Sequence, residues 1–210
     1  MANDPGSTED LLRRAGGGDA AALVELFTHS RDRLRRMVRL RLDRRLQGRL
    51  DPSDVLQEAY LDVARRAPDY AANPTMPPYL WLRFLTGQRL MLLHRQHLGA
   101  QMRDAGQEVS LYRGALPQAS SVSLANQLVG RLTSPTQAAV RAELQLRVQE
   151  ALNGMEPLDR EVLTLRHFEM LSNEDTAAVL GLRKSAASNR YVRALRRLKE
   201  ALGPLPGWGA

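Results

Sequence analysis

Apolar residues recur along this chain at spacings of three and four, and no useful length has strand alternation, so each patterned segment predicts an amphipathic helix. Thr8 to Ala15 is a short one, stopped by Gly16-Gly17-Gly18. Asp19 then caps a long helix that keeps Leu23, Leu26, Phe27, Leu34, Met37 and Val38 in one stripe. Asp51-Pro52 opens DPSDVLQEAYLDVARR, whose inward stripe is Val55, Ala59, Tyr60 and Val63. Residues 67–79 hold four prolines and predict a loop, aromatic at both ends through Tyr70 and Tyr79. The strongly apolar helix YLWLRFLTGQRLMLLHRQHL follows, with Trp81, Leu82, Leu85 and Leu92 inward. Its polar positions are Arg83, Gln88, Arg89, His94, Arg95 and His97.

From Gly99 to Ser134 the periodicity fades into a segment rich in Gly, Ser, Ala and Gln, read as a linker with brief helical turns. Its mild hydrophobicity (Val109, Leu111, Tyr112, Leu116, Val122, Leu124) argues that it packs in some assembly. Ser134-Pro135-Thr136-Gln137 is a capping box with proline at the first helical position, and its helix runs to Asn153-Gly154. Pro157 to Leu202 predicts three more helices. The first starts at Pro157; Ser172 caps the second, with Asp175 in its first turn; Gly181 ends it. The third carries Tyr191, Val192, Leu195, Leu198 and Leu202 on an inward face. The expected fold class is all-α: two small helical domains, 8–98 and 135–202, a flexible linker at 99–134 and a tail at 203–210.

Totals bound the chemistry. The 210 residues fit one large or two small domains, and 43% hydrophobic content supports an ordinary core. There is no Cys, which removes disulfides and thiolate metal sites and suits a reducing cytoplasm. No apolar run approaches the ~20 residues that span a bilayer, and MANDPGSTED is polar and acidic, unlike a secretory leader. Net charge is +7, and of 30 cations only Lys184 and Lys199 are Lys. An arginine-dominated basic chain suits a polyanionic partner.

The charge is segregated. Residues 31–49 hold nine Arg against Asp32 and Asp43, whereas 51–63 hold four acids and no base. Asp54, Gln57, Glu58, Leu61 and Asp62 share a face that phosphates would repel and a basic protein surface would attract. Residues 182–199 contain seven Lys or Arg and no acid; a soluble helix usually mixes signs to gain ion pairs. A short apolar helix, a Gly-containing turn and a basic amphipathic helix form a helix-turn-helix pattern. His94 and His97 lack acidic or Cys companions, so no metal is expected. No paired carboxylates, nucleophile–base set or phosphate-cradling loop argues for an enzyme. The competing reading is a helix-turn-helix regulator that binds duplex DNA alone, which the acidic face and aromatic loop count against.

Taken together, DLLRRAGGGDAAALVELF, DPSDVLQEAYLDVARR, YLWLRFLTGQRLMLLHR and LNGMEPLDREVLTLRHFEMLSNEDTAAVLGLRKSAASNRYVRALRRLKE resemble, in order and spacing, the extracytoplasmic-function (ECF) sigma factors of bacterial RNA polymerase. The resemblance covers nearly the whole chain and implies sigma region 2 at 8–98 and region 4 at 135–202. It implies that Asp51, Asp54, Gln57, Glu58 and Leu61 dock on the clamp of the polymerase's largest subunit, with the flap as a further contact. Tyr70, Asn73, Tyr79, Arg83, Gln88, Arg89, His94 and Arg95 would open and read the −10 element. Lys184, Ser185, Ser188, Asn189, Arg190, Arg193 and Arg197 would meet the −35 duplex, with Ser188, Asn189 and Arg190 facing bases and Arg193 and Arg197 holding phosphates. The family has no catalytic residue or cofactor, acts in the cytoplasm and often answers to an anti-sigma factor. Two departures stand out: a longer, proline-rich −10 loop, and Ser53 where an acid is common, a position that a protein kinase could make negative.

Overall fold

The helix starts predicted at Asp19, Asp51 and Ser172 are built from the capping chemistry that announced them. In a computed structural model the described residues are 5–98, 116–130 and 138–202. Nine α-helices occur among them: α1 (Pro5–Gly16), α2 (Ala20–Arg41), α3 (Pro52–Ala72), α4 (Pro78–Leu98), α5 (Ser121–Gly130), α6 (Ala138–Asn153), α7 (Pro157–Leu163), α8 (Asn173–Leu180) and α9 (Lys184–Leu202). The Asp19 carboxylate accepts the Ala22 N–H at 3.0 Å to start α2. Asp51 and Asp54 close a capping box on α3: the Ser53 N–H donates to Asp51 Oδ1 at 2.7 Å and the Asp51 N–H to Asp54 Oδ2 at 2.8 Å. Ser172 Oγ accepts the Asp175 N–H at 2.9 Å, and Gly181 ends α8 in the left-handed region at φ 61°. The fold is all-α. The chain divides into two compact units, Met1–Pro117 and Gln118–Ala210.

The first unit packs α1 to α4 around one core. Leu26, Leu34, Met37, Val55, Ala59, Val63, Leu82, Leu85 and Leu90 lie within it, essentially without exposure. Burying each of the larger side chains contributes about 1.5–3 kcal/mol. Tyr70 stacks on Trp81 at 4.2 Å, and its hydroxyl donates to the Met76 carbonyl, fastening the end of α3 to the start of α4. Two expectations change here. Helix α3 does not stop at the first proline but runs through Pro68 to Ala72, so the connecting loop shrinks to 73–77. Pro68 is exposed, and the turn beyond it is held from outside: a Cβ at Gly16 would stand 2.3 Å from Ala71 Cβ, so α1 meets this turn closely enough to require a glycine. Leu92, expected inward, is 40% exposed; Leu90 and Leu93 take the buried positions.

The segment read as a linker is partly ordered. Leu116 rests on Gly87, where an added Cβ would lie 1.8 Å from its Cδ2, and Arg41, buried, donates to the Pro117 carbonyl at 3.0 Å. Ser121–Gly130 then forms α5 within the second unit, packed on α6 through Leu124, Ala125 and Val129. Val109, Leu111, Tyr112, the capping box at 134–137 and the tail at 203–210 lie outside the described residues.

In the second unit α6, α7, α8 and α9 enclose Leu152, Val162, Leu163, Leu165, Phe168 and Ala194. Helix α7 ends in a π-helical turn, Thr164–Phe168, and Met170 at φ 59° reverses the chain toward α8. Arg160 on α7 donates to Ser121 Oγ at 3.3 Å and to the Gln118 side chain, tying the start of α5 to this unit. The inward face of α9 also differs from expectation. Ala187, Ala194 and Leu198 are buried, whereas Val192 (51%) and Leu195 (36%) face outward. Alanines let α9 approach α7 and α6 closely, which rotates the larger apolar side chains off the interface.

Candidate interfaces for protein and nucleic acid

On α3 the expected docking residues share the solvent side. Asp51, Asp54, Gln57 and Leu61 are exposed, with Leu61 at 58%, and Glu58 is half-buried. Asp51 and Asp54 also make the helix start, and the Ser53 N–H holds the Asp51 carboxyl below the usual carboxylate range. Beside this face α2 and α3 form a cleft of about 340 Å³ lined by Val24, Phe27, Arg31, Leu56, Gln57 and Tyr60. An acidic rim next to an exposed apolar cleft suits a protein partner more than a nucleic acid. The cleft was not legible in the sequence, since it joins residues from two helices.

The residues expected at the −10 element divide into two groups. Asn73, Gln88 and Arg95 are exposed, and Tyr79 is half-buried beneath the Arg33 guanidinium, 3.6 Å from its ring centroid. Tyr70, Arg83 and His94 are buried, at 5%, 3% and 2% exposure. His94 Nε2 accepts the Asp43 N–H at 3.3 Å, and burial pushes its pKa down, so it serves as a neutral acceptor closing the end of α2. These three were expected at the DNA surface and instead brace α4 from inside. Arg83 and His94 lie on the side of α4 that packs against the other helices of this unit, and Tyr70 of α3 stacks on Trp81. Arg89 joins the two expected surfaces: its guanidinium donates to Asp62 at 2.8 Å and to Glu58 at 3.2 Å, and Gln88 accepts from Arg66 at 3.2 Å.

On α9, Lys184, Ser185, Ser188, Asn189 and Arg197 are exposed. Lys184 reaches Glu174 at 2.8 Å, and its carbonyl accepts from Asn173 at 2.9 Å, bracing the turn between α8 and α9. Arg190 and Arg193 are held by α7. Arg190 donates to Asp159 Oδ1 at 2.7 Å and to Glu156 at 3.1 Å; Arg193 donates through Nε to Asp159 Oδ2 at 2.6 Å and through Nη2 to Oδ1 at 2.8 Å. The Asp159 side chain is 1% exposed. The Arg193 contact, opposed by burial and aided by Arg190, holds its carboxyl below the usual range, and the same bonds raise both guanidinium values. The sequence pattern contained Asp159 and Glu156 but no signal that they meet α9. Among the described residues no group of His, Cys, Asp or Glu could hold a metal.

An acidic helix in one unit and a basic helix in the other suit a helical protein that meets both a basic protein surface and a polyanion. Residues 145–198 match the family described as sigma-70, region 4. The chain is 27% identical over 205 residues to the ECF RNA polymerase sigma factor SigK of Mycobacterium ulcerans, covering 96% of this chain and 98% of that one. It is 29% identical over 192 residues to the ECF sigma factor SigD of Mycobacterium tuberculosis, covering 91% and 82%. Its fold matches that of CnrH, solved in complex with the cytosolic domain of CnrY, with a TM-score of 0.55 and 20% identity over 93% of this chain and 97% of that one. Over nearly its whole length the chain is similar to ECF sigma factors, and residues 145–198 carry the sigma-70 region 4 pattern.

Proposed function

We propose that this chain binds core RNA polymerase and directs promoter-specific initiation, reading −35 duplex DNA and melted −10 DNA. The observation that carries the reading is the split in surface charge between two helices of one chain: α3 shows Asp51, Asp54 and Glu58, while α9 shows Lys184, Arg196, Arg197 and Lys199. The acidic face of α3, with Gln57 and Leu61, docks on the clamp of the largest polymerase subunit, and the second unit adds a contact to the flap. Helix α9 lies in the major groove of the −35 element, presenting Lys184, Ser185, Ser188 and Asn189, with Arg190, Arg193 and Arg197 along its flank. In the first unit Asn73, Tyr79, Gln88, Arg89 and Arg95 face the opened −10 strand, supported from beneath by Tyr70, Arg83 and His94. Phosphodiester chemistry belongs to the polymerase, so this chain holds no catalytic group.

The chain works in the cytoplasm, where core polymerase is found; among the described residues no helix is long and apolar enough to cross a membrane. An anti-sigma protein covering the α2–α3 cleft is a fitting regulator, since the fold neighbour CnrH was solved with a second protein bound. A kinase acting on Ser53, in the first turn of α3, would add charge to the docking face. The test is to mix purified chain with core polymerase and a promoter pool. Initiation at specific sites only when the chain is present supports the reading. Tight promoter binding by the chain alone, with no gain on adding polymerase, assigns it instead to stand-alone regulators.

A further inference from the structure

The outward face of α9 can be traced from exposure and helical geometry. At 100° per residue, Ser185, Ser188, Asn189, Val192 and Arg196 follow one another on a single stripe, and all are exposed. Ala187, Ala194 and Leu198 are buried on the opposite side. Arg190 lies about 140° around the helix from Ser185, and Arg193 about 80°. Both guanidinium groups turn toward α7, where the two Asp159 oxygens take three of their N–H groups and Glu156 takes a fourth contact.

We propose that Asp159, aided by Glu156, is a positioning residue for promoter recognition: it holds Arg190 and Arg193 off the base-reading face of α9 and leaves that face to Ser185, Ser188, Asn189 and Val192, with Arg196 at its far end. This rests on the reading of α9 as the −35 helix. A free arginine on a recognition helix is the commonest reader of guanine, because its planar fork matches the O6 and N7 acceptors of that base. Swinging Arg190 or Arg193 to a base would strip cations from a carboxylate with 1% side-chain exposure, the kind of buried unpaired charge that proteins avoid. The gain from one guanine contact, roughly tenfold to a hundredfold in discrimination, does not outweigh that loss. Clamped arginines still lend positive potential to the groove and stiffen α9 against α7. They supply affinity without dictating sequence, as phosphate contacts do.

The experiment uses full-length chain, core polymerase and a promoter library randomised across the −35 element, with initiated templates sequenced. Asp159→Asn, which weakens the clamp, is expected to add a guanine preference at one or more positions. Asp159→Glu keeps the charge and the wild-type motif. Asp159→Asn combined with Arg190→Gln and Arg193→Gln returns to the wild-type motif, an outcome that a merely structural role would not produce. In the wild-type background Arg190→Gln or Arg193→Gln lowers initiation on all templates alike. An unchanged motif in a folded Asp159→Asn protein, or loss of preference at one position in either single arginine variant, overturns the inference. Should Asp159→Asn fail to fold by circular dichroism, the arginine variants decide alone. If the wild-type chain gives no −35-dependent initiation, the sigma reading itself fails, and the inference with it.

Discussion

The two charged helices of this molecule solve the same problem with opposite burial. In the first unit an acidic face on α3 is bridged by one cation, Arg89, whose side chain is 18% exposed and whose partners Glu58 and Asp62 are 44% and 17% exposed. In the second unit a basic face on α9 is bridged by Asp159, at 1% exposure, with Glu156 beside it at 52%, while the arginine partners stay at 25% and 49%. Water reaches the first arrangement through Glu58; in the second the counter-charge is sealed and the outer charges are wet. An ion pair open to water contributes little and can exchange its partners, whereas a buried charge makes its partners obligatory. The acidic face is therefore able to release its charges to a protein partner. The basic face keeps two arginines in place and, on the proposed reading, meets DNA with the remainder.

The largest effect should come from emptying one bridge while leaving the other. Arg190→Ala with Arg193→Ala leaves Asp159 without its cations. The loss is about 3 kcal/mol, at the low end for a buried pair, because the vacated space lets water reach the carboxylate. Native-state hydrogen exchange should show it as lost protection in α7 and α9 with α3 and α4 unaltered. Arg89→Ala, by contrast, should cost about 1–2 kcal/mol in α3 and α4, because Asp62 keeps its Arg65 partner and Glu58 is open to water. Comparable losses in the two units would erase the distinction.

Next is the docking face. Leu61 is 58% exposed, so Leu61→Arg removes no packing and leaves thermal unfolding unchanged, yet places a cation where a basic partner should sit. Affinity for core polymerase is expected to fall tenfold or more, about 1.4 kcal/mol. Unaltered affinity in a direct binding titration would move the docking site elsewhere.

A smaller, pH-dependent effect separates the units again. His94 is buried beside Asp43 and Arg45, and burial lowers its pKa. Folding therefore favours the neutral ring, and the stability this contributes is present above the unfolded value near 6.5. It is lost as pH falls below that value toward the folded one. The first unit should thus weaken between pH 7 and pH 5, and His94→Gln, which keeps an acceptor for the Asp43 N–H, should flatten that dependence. Asp43 and Asp159 act in a lower window. The Asp43 carboxyl is held at about 2, first by the Arg45 guanidinium, so its contribution survives until strong acid.

How much of this was legible depended on the range of the interaction. Caps at Asp19, Asp51 and Ser172 and the turn at Gly181 involve neighbours within three residues and read directly from the sequence. Helix α3 outran the prediction because its last turn is held by Gly16, far away in the chain, against the local preference of Pro68. Helix α5 was hidden because its short apolar spacing, Leu124, Ala125 and Val129, is diluted by Ser, Asn and Gln. The bridges were least visible of all: Arg89 to Asp62 spans 27 residues and Arg193 to Asp159 spans 34, so each charge appeared to belong to one solvated face. That is also why Arg83 and His94 looked like DNA contacts before the packing of α4 enclosed them.

The smallest effect tests whether the unclamped charges on α9 work as phosphate contacts. Arg197 is exposed on the flank of α9, outside the Asp159 bridge. One guanidinium on one phosphate releases about one counterion, so Arg197→Ala should flatten the log–log salt dependence of holoenzyme binding to a −35 duplex by about 0.9. The weakening should be the same for every −35 sequence, because a phosphate oxygen carries no base identity. Binding titrations at four or five salt concentrations on a preferred and a mutated −35 sequence measure both quantities. Equal slopes for wild type and variant would mean that Arg197 does not touch the backbone. A loss confined to the preferred sequence would make Arg197 the base reader that Arg190, held by Asp159, is not.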